Sequence, residues 1–255
     1  MHPPSISIRR LGPSKFSGAG LCPGFDPANP ARTLPEYASI LSLLTRALDG
    51  DEFMAAASGR VVSDRDRSHY ELFLMAPIVA QVLGGEIYVA ETQDKRIVGI
   101  SGWFGPGHSL CESEEEIKYA LAPFMRSLSI EMQDWWQESF LPEWDRWFES
   151  ALGSGVKHNS WHLFTLAVDP DFQRRGIGRM LVDVVAEQAR PHRTPLCVET
   201  TVERNLPFYE NLGFKLLPRR PGRRTVDKET SRHVFVGVAE PERELSMWLL
   251  VRGFE

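Results

Sequence analysis

The segment SISIRRL, residues 5–11, alternates apolar and polar side chains with a period of two, which predicts a short strand. A Pro- and Gly-rich loop follows to about residue 31. The period then changes. In YASILSLLTRAL the apolar positions fall on one helical face, and Thr33 and Glu36 stand at capping-box spacing just ahead of it. Further helices are predicted over about 51–58 and 68–83, the second ending at Gly84-Gly85. EIYVAETQDKRIVGISGWF, 86–104, reads as a hairpin of two strands turning near Asp94-Lys95.

Residues 106–158 are helical in composition, with capping-box spacing at Ser113 and Glu116 and predicted breaks at Pro123 and Pro142. Trp136, Phe140, Trp144 and Trp147/Phe148 recur near one helical stripe, with Trp135 beside them. WHLFTLAV, 161–168, predicts a strand. IGRMLVDVVAEQA, 177–189, repeats apolar residues at 177, 180, 181, 184 and 185, a helical period that Pro191 ends. LCVETTV, 196–202, is a strand, and NLPFYENLG, 205–213, a short helix. Asn205 can cap that helix, Pro207 is tolerated in its first turn, and Gly213 closes it. FKLLP, HVFVGV and ELSMWLLV supply late strands. The order of elements puts the chain in the α/β or α+β class with a mixed sheet. There is no internal repeat and no low-complexity tract.

Composition narrows the function classes. At 255 residues, 42% apolar and 25% charged, the chain has ordinary globular proportions, and its net charge of −5 disfavours a nucleic-acid partner. Cys22, Cys111 and Cys197 are far apart and lack metal-type spacing, so reduced thiols and no metal site are expected. The start, MHPPSISIRRL, has no apolar run of signal-peptide length, residue 2 is not the glycine that myristoylation needs, and no stretch approaches a membrane span. A cytoplasmic protein, or a nuclear one, is expected.

The candidate chemistry lies at VDPDFQRRGIGRMLVD, 168–183. A strand, a glycine-bearing loop and a helix together make an anion site. The first amides of a helix lack internal partners and carry the positive end of its dipole, and glycine lets a phosphate approach the backbone. Arg174, Arg175 and Arg179 add positive potential. The bland alternative is a solvated charge run. A dinucleotide-binding fingerprint is a second alternative, with Gly176, Gly178 and Glu199 in rough register. Against it, Leu181 holds the third glycine position, and four residues separate the strand from the glycines.

Gln173-Arg174-Arg175-Gly176-Ile177-Gly178 resembles the Gln/Arg-x-x-Gly-x-Gly/Ala loop of the GCN5-related N-acetyltransferase (GNAT) superfamily. ERNLPFYENLGF, 203–214, resembles that family's Asn…Phe-Tyr-x-x-x-Gly-Phe helix and strand, about one strand further on. The resemblance covers 159–218, extends to 86–105, and does not include 106–158. It implies a single GNAT domain over 1–255, with an acetyl-CoA-binding core at 159–218 and a helical insertion at 106–158. The implied fold is a central mixed, mostly antiparallel sheet, splayed in the middle and flanked by helices. It further implies acetyl-CoA as acetyl donor. The pantetheine arm would bond to the backbone of Leu166 and Val168. The pyrophosphate would be held by amides from Arg174 to Arg179 (Arg174, Arg175, Gly176, Ile177, Gly178, Arg179), and Gln173 of the motif would also belong to the cofactor site. Asn205 would be a further contact.

Acetyl transfer to an amine needs a neutral amine, a polarised carbonyl and a proton for the thiolate. Tyr209 stands where the family places its acid. WHLFTLAV also resembles the strand of arylamine- and arylalkylamine-type members, which carry two histidines two residues apart. Here His162 is the first, and Phe164 replaces the second. His162 and Glu199 are both candidates for the base, His162 ranked first. Between 112 and 149 ten acids face three bases, a local excess of negative charge. That region reads as a core stripe with a solvated acidic back. Alternatively, one or two tryptophans roof the acceptor and the acids attract a cationic amine. RRPGRR, 219–224, is a solvated loop, or a contact to the cofactor's 3′-phosphate or to an anionic substrate. The expected activity is direct acetyl transfer to a primary amine of a small molecule. A protein lysine or N-terminus, and a non-catalytic CoA-binding role, are the alternatives.

Overall fold

The computed structural model describes residues 5–12, 24–59, 67–218, 228–237 and 244–253. The predicted RRPGRR loop and much of the early Pro/Gly-rich loop lie outside these residues. β1 (Ser7–Leu11) leads into helices α1 (Pro30–Thr33), α2 (Tyr37–Ala47), α3 (Glu52–Ala57) and α4 (Arg67–Gly84). The hairpin β2 (Glu86–Glu91) and β3 (Ile97–Phe104) follows. Next comes a helical region: α5 (Glu114–Glu116), α6 (Ala122–Ser127), α7 (Ile130–Asp134) and α8 (Leu141–Leu152). The second half holds β4 (Trp161–Val168), α9 (Ile177–Ala189), β5 (Leu196–Thr200), α10 (Leu206–Glu210), β6 (Lys215–Leu216), α11 (Lys228–Ser231), β7 (His233–Val236) and β8 (Glu244–Arg252).

The strands form a mixed sheet in the order β1-β2-β3-β4-β5-β8-β6, with β7 also pairing β8. Every pairing is antiparallel except β4 with β5, which run parallel over only Trp161↔Leu196, His162↔Cys197 and Leu163↔Val198. Beyond that point the ladder stops. On the other side of β4, Thr165 pairs Gly102 while Leu163 pairs Trp103, so Phe164 is an extra residue. Such a bulge bends its strand and strengthens its twist. β4 therefore leaves β5 after Leu163, and its Phe164–Val168 edge has no ladder partner among the described residues.

The two faces of the sheet are covered differently. α9 buries Ile177, Leu181, Val182, Val185, Ala186 and Ala189 on one face, together with Leu163, Val198, Tyr209 and Trp248. The other face carries α2 and α4, with Ile40, Leu44, Ile78 and Ile100 in its core. A third cluster joins Trp135, Trp136, Phe140, Trp144, Trp147 and Phe148 to Phe235, Leu245 and Met247 of β7 and β8. The aromatic stripe of the helical region is thus buried.

Several local expectations are corrected. Pro123 and Pro142 do not break their helices. Each follows a π-helical stretch, Ile117–Leu121 or Trp135–Phe140, where Ala122 N–H reaches the Ile117 carbonyl and Leu141 N–H the Trp136 carbonyl. Widening the turn moves aside the carbonyl that proline would strike. The break falls instead at Leu128, after which the Ser129 side chain caps α7. Thr33 and Glu36 form no capping box: Thr33 bonds the Asp26 and Asn29 carbonyls, and Glu36 pairs Arg9. Ser113 does accept from Glu116 N–H, but the Glu116 carboxylate takes the Glu112 amide rather than that of Ser113. The buried stripe of α9 is rotated from the predicted one, leaving Met180 exposed. The fifth strand ends at Thr200, and FKLLP contributes only Lys215–Leu216.

Candidate active site

The glycine loop is built by local backbone geometry and braced by long-range ion pairs. Arg174 and Gly176 both adopt left-handed backbone, φ 59° and 79°, which turns the chain sharply into α9. Gly176 is the residue that takes this conformation at no steric cost. The first helical bond of α9 runs from Met180 N–H to the Gly176 carbonyl, so the helix does not use the amides before Met180. A Cβ on Gly178 would lie 3.0 Å from the Phe208 ring, so glycine there also lets α10 pack against α9.

Asp169, nearly fully buried, anchors the start of the loop. Its Oδ2 accepts from Arg46 Nη1 (2.9 Å) and Arg96 Nη2 (2.8 Å), and its Oδ1 from the Asp171 amide (3.0 Å). Arg46 also reaches Asp171, 2.8 Å away. Gln173 Nε2 donates to the Val168 carbonyl, Arg175 to the Asp171 carbonyl and Arg179 to the Asn211 carbonyl. The Arg175 guanidinium thus stiffens the loop's backbone, and that of Arg179 ties α9 to the end of α10. None of Arg46, Arg96 or Asp169 stood out in the sequence, because the contacts join positions 73 to 123 residues apart.

The pair His162 and Glu199 sits where β4 and β5 part. His162 Nε2 is 2.7 Å from Glu199 Oε2. His162 is 2% exposed, while the Glu199 side chain is 12% exposed, so the carboxylate is the accessible end of the pair. Its other ring nitrogen, Nδ1, is buried with no hydrogen-bond partner among the described residues. Phe148 and Trp144 pack on the imidazole, at centroid distances of 5.6 and 6.2 Å. Tyr209 packs with Leu163 and Val198, which alternate along their strands with His162 and Glu199, and so lies on the opposite face. Its ring rests on Phe208 and Phe214, and its hydroxyl makes no hydrogen bond among the described residues. Burial, reinforced by the Glu199 charge, holds the phenol well above its usual pKa, so it keeps its proton at neutral pH.

Two predicted residues have other partners. Asn205 does not cap α10; its Nδ2 donates to Thr200 Oγ1 at the end of β5. Cys197 is buried in β5, and burial pushes its thiol far up, which makes it a poor nucleophile. No motif or spacing in the sequence points to Lys157. Its Nζ lies 3.4 Å from the Trp144 ring centroid, 4.4 Å from that of Phe148, and 3.8 Å from Asp145. Desolvation lowers its pKa, opposed by Glu199 and Asp145. No group of three metal-ligating side chains occurs among the described residues, and none of their helices is long and apolar enough to cross a membrane.

An open-edged strand, a left-handed glycine turn and helix amides that the helix does not use thus lie together beside the gap between β4 and β5. Residues 146–216 match the acetyltransferase (GNAT) domain family. A stretch of 55 residues is 42% identical to the ribosomal protein bS18-alanine N-acetyltransferase of Salmonella typhimurium, spanning 20% of this chain and 37% of that enzyme. The fold is similar to a histone acetyltransferase HPA2 and related acetyltransferase from Corynebacterium glutamicum, with TM-score 0.50 and 16% identity over 88% of this chain and 93% of that one. It is also similar to a polyamine N-acetyltransferase of Drosophila melanogaster, with TM-score 0.50 and 15% identity over 98% of this chain and 100% of that one.

Proposed function

We propose that the chain is an acetyl-CoA-dependent N-acetyltransferase that acetylates a primary amine of a small molecule by direct attack. The observation that carries this reading is the placement of a protonated phenol and a carboxylate–imidazole pair on opposite faces of one gap in the sheet. Proton acceptance and proton donation are the two tasks the reaction sets. The free edge of Phe164–Val168 suits the pantetheine arm, through the backbone of Leu166 and Val168. The amides of Gly176, Ile177, Gly178 and Arg179 suit the pyrophosphate. Acetyl-CoA supplies the thioester when bound. Glu199 takes the proton from the amine, because it is the exposed member of its pair. His162 holds the carboxylate in place from behind. Tyr209 donates to the departing thiolate. Cys197 is unsuited to carry an acetyl group, which favours attack without an acetyl-enzyme. The enzyme from Drosophila is a polyamine N-acetyltransferase and the one from Salmonella acts on an alanine of a ribosomal protein, so both acceptor types belong in the test.

The deciding experiment offers acetyl-CoA with panels of amines, polyamines, amino acids and peptides, and detects free thiol. Thiol release that depends on an amine and falls in Glu199→Gln supports the reading. Tight acetyl-CoA binding without amine-dependent release assigns the chain to binding alone.

A further inference from the structure

The face of Trp144 that could roof an acceptor is already covered, by this chain's own amine. Lys157 comes from the turn between α8 and β4, where Gly153 and Gly155 both have left-handed φ, 94° and 75°. Its side chain is only 19% exposed. Its ammonium sits between Trp144 and Phe148, the same two rings that pack on His162. Aromatic faces hold a cation by their quadrupole, most strongly where water is excluded. The same rings thus join the lysine to the His162–Glu199 pair.

We propose that Lys157 is a self-acetylation site: the chain transfers one acetyl group from acetyl-CoA to its own Lys157 Nζ. The proposal rests on the acetyltransferase reading above and adds an internal acceptor to it. Lys157 meets the two demands on an acceptor. It is an unbranched primary amine held beside the proposed base, and desolvation shifts it toward the neutral form that can attack. Rotation about its four-carbon stem lets Nζ leave the rings and turn to the gap between β4 and β5. In the step, the Nζ lone pair forms a C–N bond to the thioester carbon and the C–S bond breaks. Two protons leave the original ammonium. One goes to the Glu199–His162 pair, and the other reaches solvent through it. Tyr209 protonates the thiolate and is reprotonated from solvent. The products are an amide at Lys157, free CoA thiol and one net proton. The amide carries no charge, so acetylation removes the cation from the Trp144 face and its influence from Glu199.

The test uses the full chain with acetyl-CoA alone. Intact-mass measurement should show one added acetyl group, and peptide mapping should place it at Lys157. The rate should not change with protein concentration, as an intramolecular reaction requires, and should fall in Tyr209→Phe. Lys157→Arg, which keeps the cation on the rings, should lose the modification and retain acetyl-CoA binding. Competitive labelling by acetic anhydride without acetyl-CoA should give Lys157 a titration midpoint below the ordinary lysine value of about 10.4. An ordinary midpoint, or a chain that acetylates added amines and leaves Lys157 unmodified, overturns self-acetylation and leaves the transferase reading standing. A chain that acetylates neither refutes both. Acetylation spread evenly over exposed lysines is uncatalysed chemistry and counts against the proposal.

Discussion

Changing Tyr209 to Phe separates its chemistry from its packing. The substitution removes one oxygen and keeps the ring against Phe208 and Phe214, at centroid distances of 5.1 and 5.8 Å. The hydroxyl has no hydrogen bond among the described residues, so its loss strands no partner. Deleting a desolvated hydroxyl of this kind leaves stability unchanged or raises it by up to about 1 kcal/mol. Turnover should behave differently. General-acid catalysis contributes about 10²–10⁴-fold, and a thiolate with an intrinsic pKa of about 8.5 needs only modest help. A fall in kcat of about 10²–10³ follows, equivalent to about 2.7–4 kcal/mol of barrier. Acetyl-CoA affinity should stay near wild type, because the donor acts on charge that develops only in the transition state. Burial raises the Tyr209 pKa, so the basic limb of the pH–rate profile is not its ionisation and should persist in the mutant. The assays are thermal unfolding, calorimetry with acetyl-CoA, and thiol release across pH. Wild-type kcat with chemistry shown to limit the rate would refute the donor role. So would a loss of kcat that tracks a loss of folded protein.

Glu199→Gln keeps a polar partner for His162 but cannot take a proton, so kcat should fall on the order of 10²-fold while calorimetry finds acetyl-CoA binding intact; equal turnover moves the base elsewhere. Asp169→Asn weakens the charged bonds from Arg46 and Arg96. Those arginines are 42% and 48% exposed, so the cost is held to about 1–2 kcal/mol, read as a melting shift of about 2–8 °C with weakened acetyl-CoA binding. An unshifted melt removes the brace from the argument. The depressed pKa of Lys157 means that unfolding takes up a proton, so stability rises as pH climbs through the folded value toward about 10.4. Tyr209, raised by burial, acts oppositely: its unfolded form ionises near pH 10, and stability falls above that. Lys157→Met should abolish the rise and keep the fall in pH-dependent denaturant titrations; a persisting rise assigns it to another group.

What was legible in the sequence is what neighbouring residues decide. The strand, QRRGIG loop and helix over 161–189 form as read, because turn chemistry and periodicity act within a few residues. His162 and Glu199 were each singled out, but not as a pair. Their contact depends on the parallel register of β4 and β5, set by strands 37 positions apart in the chain. Asp169, Arg46 and Arg96 look like ordinary surface charges until α2 and β3 bring them together. Pro123 and Pro142 misled because proline's effect depends on the turn before it, and π-turns carry no composition cue. Asn205 is a competent cap by type, but the open end of β5 offers its side chain Thr200 instead.

The short parallel contact between β4 and β5 has a mechanical meaning. Three residue pairs are all that stitch the β1–β4 half of the sheet to the β5–β8 half along their shared edge. Apart from the two-pair contact of β6 with β8, the ladders inside each half are longer and antiparallel, so the main-chain stitching across the middle of the sheet is thin. A ligand strand laid along Phe164–Val168 would act as a weld, adding main-chain bonds where β4 has left β5. Amide exchange in β4 would then report occupancy of the gap directly.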